Sequence, residues 1–192
     1  MKNTCLLSEN AKTYLCCYHQ LLDEMIQGMT TASLTRSVSH NLISQILPHQ
    51  RAAVKMSDNI LRFTGHAPTK CLARRIISEQ TQRTEQMEAV LGACSQLTNP
   101  PMDLRLYQRR MDLIFREMYA RMGSIPESNR LELGFLRGQL PHCLGALRMA
   151  ENALKYDIST ELVPILRAIA AQERRKAAQL RALLDRMECQ SR

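Results

Sequence analysis

Apolar residues along this chain recur every three to four positions, and strict alternation of apolar with polar residues is nearly absent. The pattern predicts six helices, at about Ser8–Met29, Ser33–Thr64, Pro68–Leu97, Met102–Met122, Pro126–Tyr156 and Ser159–Cys189. Pro68 and Pro126 fall in first turns, where a missing backbone donor does no harm. Ser124-Ile125-Pro126-Glu127 has the S-x-x-E spacing of a capping box, and Asn99-Pro100-Pro101 breaks the chain at its middle.

The apolar pattern repeats. Shifted by 93 positions, residues 14–91 align with 107–184 without a gap. Tyr14 falls on Tyr107, Met25 on Met118, Met29 on Met122, Leu47-Pro48-His49 on Leu140-Pro141-His142, Met56 on Met149 and Asn59 on Asn152. The chain therefore reads as two tandem copies, residues 1–98 and 99–192, packed as one compact domain. Each copy offers a shorter helix followed by an antiparallel pair of long ones. Two such pairs bury their apolar stripes best as a four-helix bundle with a pseudo-twofold axis, the shorter helices lying on its ends or flank.

In the second helix Leu42, Ile46, His49, Ala53, Met56, Ile60 and Phe63 form one stripe. In the fifth, Phe135, His142, Ala146, Met149, Ala153 and Tyr156 do the same. Both histidines thus face the predicted core, and both follow a proline about halfway along a long helix. Proline there removes a donor and crowds the carbonyl four residues back, so a kink is expected. Met25 and Met29 share a face, as do Met118 and Met122. Imidazole with thioether sulfur suits a soft ion, Cu(I) above all. The candidate metal ligands are His49, Met56, Met25 and Met29, and their copies His142, Met149, Met118 and Met122, with Cys143 able to add a thiolate. Against this stands plain core packing, since methionine fills irregular gaps well. Of the five histidines, only His49 and His142 occupy matching positions.

Composition narrows the setting. With three Phe and no Trp, the core is built from Leu, Ile, Ala and Met. The formal charge of +8 favours loose attraction to anions without naming a partner. Arg74-Arg75, Arg109-Arg110 and Arg174-Arg175-Lys176 read as solvated helix faces, because adjacent side chains diverge and aromatics for stacking are few. Nucleic acid is therefore not the expected partner. No stretch is apolar enough to span a membrane, and the polar turn at Ser8-Glu9-Asn10 argues against an export signal. Seven cysteines without C-x-x-C spacing read as reduced thiols in a cytoplasmic protein. A homo-oligomer is left open.

Leu47-Pro48-His49-Gln50-Arg51-Ala52-Ala53-Val54-Lys55-Met56, followed by Ile76-Ile77-Ser78-Glu79-Gln80 and Met87, resembles domain-of-unknown-function family 305. That family's pattern runs M-I-P-H-H-x-x-A-x-x-M-A, then I-I-x-x-Q and a late Met. The second half repeats it from Leu140 to Ala150, then at Ile169 and Gln172. The resemblance implies a ferritin-like helical fold and, because some members bind copper through His and Met, metal binding here. The family's second histidine is Gln50 in the first copy and Cys143 in the second.

No catalytic motif is present: no H-E-x-x-H, no P-loop, no G-x-S-x-G and no E-x-x-H of the kind a di-iron site needs. The expectation is an all-α, ferritin-like four-helix bundle of two duplicated three-helix units. No enzymatic activity is expected from these motifs. The chain either binds a soft metal such as copper or serves as a structural or protein-interaction bundle that has lost the family's metal site.

Overall fold

A computed structural model describes residues 6–189, and among these there are six α-helices and no strand. They are α1 (Glu9–Thr30), α2 (Val38–Leu61), α3 (Ala67–Cys94), α4 (Pro101–Gly123), α5 (Leu131–Ala153) and α6 (Leu162–Cys189). Met1–Cys5, which the export reading concerned, lie outside the described residues. The starts of α2 and α5, at Val38 and Leu131, stand in the same register as the sequence repeat. No described helix is long and apolar enough to cross a membrane.

Helices α2 and α3 pack together, as do α5 and α6; α2 also packs on α5 and α3 on α6, closing a ring. Helix α1 lies against α2 and α4 against α5, so the outer helices flank the ring rather than cap it. The expectation of one short and two long helices per copy holds only for the first, because α4 and α5 are both 23 residues long.

Most helix starts follow local chemistry. Ser8 and Ser37 accept from the backbone N–H of Ala11 and His40, and α3 and α4 carry Pro68 and Pro101 in their first turns. The expected capping box at Ser124 does not form. Ser124 instead donates to the Arg121 carbonyl and closes α4, while Asn129 bonds the backbone of Leu6 and Ser8. These contacts hold 124–130 as a connection across α1, and α5 begins only at Leu131.

The core forms two apolar clusters. One joins Val38, Leu42 and Ile46 of α2 to Ala146 and Met149 of α5 and Leu162 of α6. The other joins Ala53 and Ile60 of α2 to Leu131 and Phe135 of α5 and Leu180 of α6. The N-terminal half of α2 thus meets the C-terminal half of α5, and Ile60 near the end of α2 joins the cluster of Leu131 and Phe135 at the start of α5, so these helices run antiparallel and cross at their middles. The same attachments recur in both halves. Asn59 donates to the Tyr14 carbonyl and Asn152 to that of Tyr107, while Lys55 pairs with Glu24 and Arg148 with Glu117.

Pro48 and Pro141 sit inside unbroken helices. Pro48 is also a steric partner of α1, since a Cβ at Gly28 would lie 2.8 Å from the Pro48 Cβ. The ring cannot swing aside. Gly28→Ala therefore destabilises the fold: overpacking costs about 1–3 kcal/mol, more than the ~1 kcal/mol by which alanine favours a helix interior over glycine. Urea denaturation measures the net loss, and a stabilised Gly28→Ala chain would contradict this close packing.

Candidate functional site: a stacked histidine pair over a buried ion cluster

His49 and His142 meet where α2 crosses α5. Their rings stack with centroids 3.5 Å apart and planes inclined by 21°. Each Nε2 lies 3.1 Å from the backbone carbonyl oxygen of the other histidine. A carbonyl only accepts, so both imidazoles carry their proton on Nε2 and donate it across the crossing. Nδ1 is left as the lone-pair nitrogen in each. That of His49 is buried without a partner among the described residues.

Both rings are held neutral. Burial pushes His49 well below the ordinary histidine range, and the His142 ring, Lys176 and Arg83 add to the shift against the opposing carbonyl bond. For His142, burial and Lys176 outweigh Glu173 and the His49 carbonyl, leaving a pKa of about 4.

The positive groups belong to an ion cluster between α3 and α6. Arg83 pairs with Glu173 and donates from Nε to the Gln172 side chain at 3.0 Å. Lys176 Nζ stands 3.0 Å from Glu173 Oε1 and 3.2 Å from Glu79 Oε2. Gln80 Nε2 donates to Glu173 Oε1 at 3.3 Å. These contacts obey the repeat: Gln80 corresponds to Glu173, Glu79 to Gln172 and Arg83 to Lys176. Arg83 reaches Gln172 as Lys176 reaches Glu79. Burial by itself would raise the Glu173 carboxyl, but Lys176 and Arg83, with hydrogen bonds from Cys143 and Arg83, hold it at about 2.

Cys143 links the two layers. Its thiol donates to Glu173 Oε2 at 2.7 Å, and burial together with the Glu173 charge raises its pKa. It is a protonated donor rather than a ready thiolate. Its counterpart Gln50 contacts Met87 Sδ and accepts from Thr84.

The six methionines expected near the histidines (Met25, Met29, Met56, Met118, Met122 and Met149) all lie in one apolar cluster, whereas Cys143 lies in the other. The copies are not kept apart there, since the Tyr119 hydroxyl of α4 donates to Met29 Sδ of α1 at 3.2 Å. No three of His, Cys, Asp and Glu gather as a metal-holding group among the described residues. The ion cluster escaped the sequence reading, and Lys176, assigned there to a solvated basic face, is buried at 4% exposure. Polar residues recurring at matched positions of α3 and α6 were the available signal.

Residues 19–131, more than half the chain, match the family model of DUF305, a domain of unknown function. The match crosses the Asn99-Pro100-Pro101 junction and includes His49 but neither His142 nor Cys143. No curated protein matches the chain. Among solved structures, the crystal structure of a DUF305 fragment from Deinococcus radiodurans is similar in fold, with a TM-score of 0.58 at 23% identity. The similarity covers 81% of this chain and 98% of that one.

Proposed function

This chain belongs to the DUF305 family, and from that premise we infer that it is a non-enzymatic helical bundle that has given up metal binding for a structural or protein-interaction role. The reading takes the fold as a ferritin-like four-helix bundle with two flanking helices, made by duplication of a three-helix unit and closed about a pseudo-twofold axis. Residues 1–98 and 99–192 are its two copies. Six free cysteines among the described residues fit a reducing compartment such as the cytoplasm.

The observation that carries the reading is the reciprocal bond of His49 and His142, each Nε2 donating to the other's carbonyl. A ligand nitrogen must offer a lone pair, and here the Nε2 positions are spent holding α2 to α5. Cys143 is likewise spent on Glu173. The repeated histidine is then a clamp between the copies. A buried charge cluster beside it sets their register, because a one-turn slip would strand unpaired charges.

One observation favours soft-metal binding instead. The buried, unpartnered Nδ1 of His49 is a free lone pair on a helix facing the methionine-rich cluster. On that reading copper would sit among His49, Met25, Met29 and Met56, with His142, Met118, Met122, Met149 and Cys143 as the second set. A titration decides. Reduced protein competes for Cu(I) with a chromophoric chelator, alongside His49→Ala/His142→Ala. The clamp reading expects the chelator to keep the metal and the variant to lose stability. Withdrawal of copper by the parent chain, but not by the double variant, would overturn it.

A further inference from the structure

Among the described residues, five large apolar side chains are well exposed, and three of them lie on α4: Met102 at 56%, Leu106 at 50% and Leu113 at 44%. Their spacing of four and seven residues puts them on one outward face. Arg105, Arg109, Arg110 and Arg116 are exposed in and beside that row, and none makes an ion pair among the described residues.

The repeat supplies an internal control. The positions of α1 matching Met102, Leu106 and Leu113 are Glu9, Thr13 and Gln20. Those matching Arg105, Arg109, Arg110 and Arg116 are Lys12, Cys16, Cys17 and Asp23, and Lys12 is paired with Glu9. One outer helix thus carries an ordinary polar face, while its counterpart carries an apolar row beside four arginines that stand outside any ion pair among the described residues. Fold requirements shared by the copies do not account for the difference.

We propose that the outward face of α4 is a docking site for an acidic amphipathic helix of another protein. The partner's apolar row would lie on Met102, Leu106 and Leu113, and its carboxylates would meet the four arginines. A second copy of the chain is the poorer occupant, since α4 against α4 sets arginines against arginines. An anionic membrane is disfavoured too. The apolar row is narrow and interrupted by Arg109, and Asp103 and Asp112 flank it. The proposal rests on the interaction reading above and names its surface and partner chemistry.

The test uses fluorescence anisotropy on the full chain. Its probe is a set of labelled synthetic helix-forming peptides of about 18 residues. Each has leucines spaced to match the α4 row and several flanking glutamates. The variant Met102→Glu/Leu106→Thr/Leu113→Gln installs the first copy's own residues. A second, Arg105→Gln/Arg109→Gln/Arg116→Gln, removes charge. All six positions are exposed, and circular dichroism and melting verify that both variants fold. The expected result is saturable binding to the parent chain that weakens as salt rises, with each variant at least about tenfold weaker. Absence of binding to every acidic peptide, or equal binding by the variants, overturns the proposal. So does binding of phosphatidylserine vesicles in place of the peptides, or a parent dimer that the first variant converts to monomer. If the peptides fail while the chelator keeps its copper, this docking site falls and the clamp reading stands.

Discussion

Glu173→Ala lowers the stability of the fold by about 3–5 kcal/mol, the usual cost of removing one partner from a buried ion pair. The carboxylate is the shared counter-charge of Arg83 and Lys176, both nearly inaccessible, and it accepts from Gln80 and Cys143 as well. Truncation leaves two cations in the interior with only Glu79, at the edge of the cluster, to answer them. Against a total of about 5–15 kcal/mol, that is a large fraction. The melting temperature should fall by about 10 °C for a chain of this size. Glu173→Gln should cost less, because an amide still accepts from Arg83 and the matching position in α3 is already Gln80. Urea denaturation of both variants checks the order. A Glu173→Ala chain within about 1 kcal/mol of the parent would show that water reaches the cluster and screens it.

Acid is expected to undo the same centre in two stages. The folded-state pKa values of His49 and His142 lie below the ordinary histidine value of 6.5, because burial, the stacked partner ring of His49 and nearby Lys176 and Arg83 oppose a proton. The unfolded chain therefore takes up protons first as pH falls. Stability should be flat above about pH 7 and decline from 6.5 downward, His142 contributing about 3 kcal/mol by the time pH reaches about 4. Glu173 has the opposite charge type but the same direction. Held at about 2, its contribution is present above 4.5 and is lost between 4.5 and 2. The stages separate by mutation. In His49→Gln/His142→Gln the limb between pH 6.5 and 4 should flatten while the lower limb persists. Denaturation free energies across pH read this directly. An unchanged upper limb in that variant would show that other groups cause the acid sensitivity.

Much of this centre was legible in one dimension. The repeat brought out His49 and His142 as the only matched histidines, and the apolar stripe placed both on the inner face of α2 and α5. Periodicity does not say what lies opposite a residue. It left the two histidines in separate candidate sites, whereas antiparallel crossing at the helix midpoints stacks one ring on the other. The cluster of Arg83, Glu173 and Lys176 was harder still. In sequence Glu173-Arg174-Arg175-Lys176 looks like a charged surface run, and only the docking of α6 on α3 turns residues 173 and 176 inward while Arg174 stays outside. Asn129 shows the same limit at a helix end, since its bonds to the backbone of Leu6 and Ser8 come from a segment more than a hundred residues away.

The amino-acid sequence by itself determined the local and periodic features: helices wherever apolar residues recur at three and four, a break at Asn99-Pro100-Pro101, and two halves in a common register. Those follow from interactions within a few residues of one another, or from comparing the chain with itself. Tertiary structure alone decided which polar groups share the interior. A buried imidazole or carboxylate is tolerated only where its partners stand, and the partners of His49, Glu173 and Cys143 come from other helices. Whether histidine and cysteine serve as ligands or clamps depends on which atoms are already bonded, and bonds between distant helices are not written in any one of them.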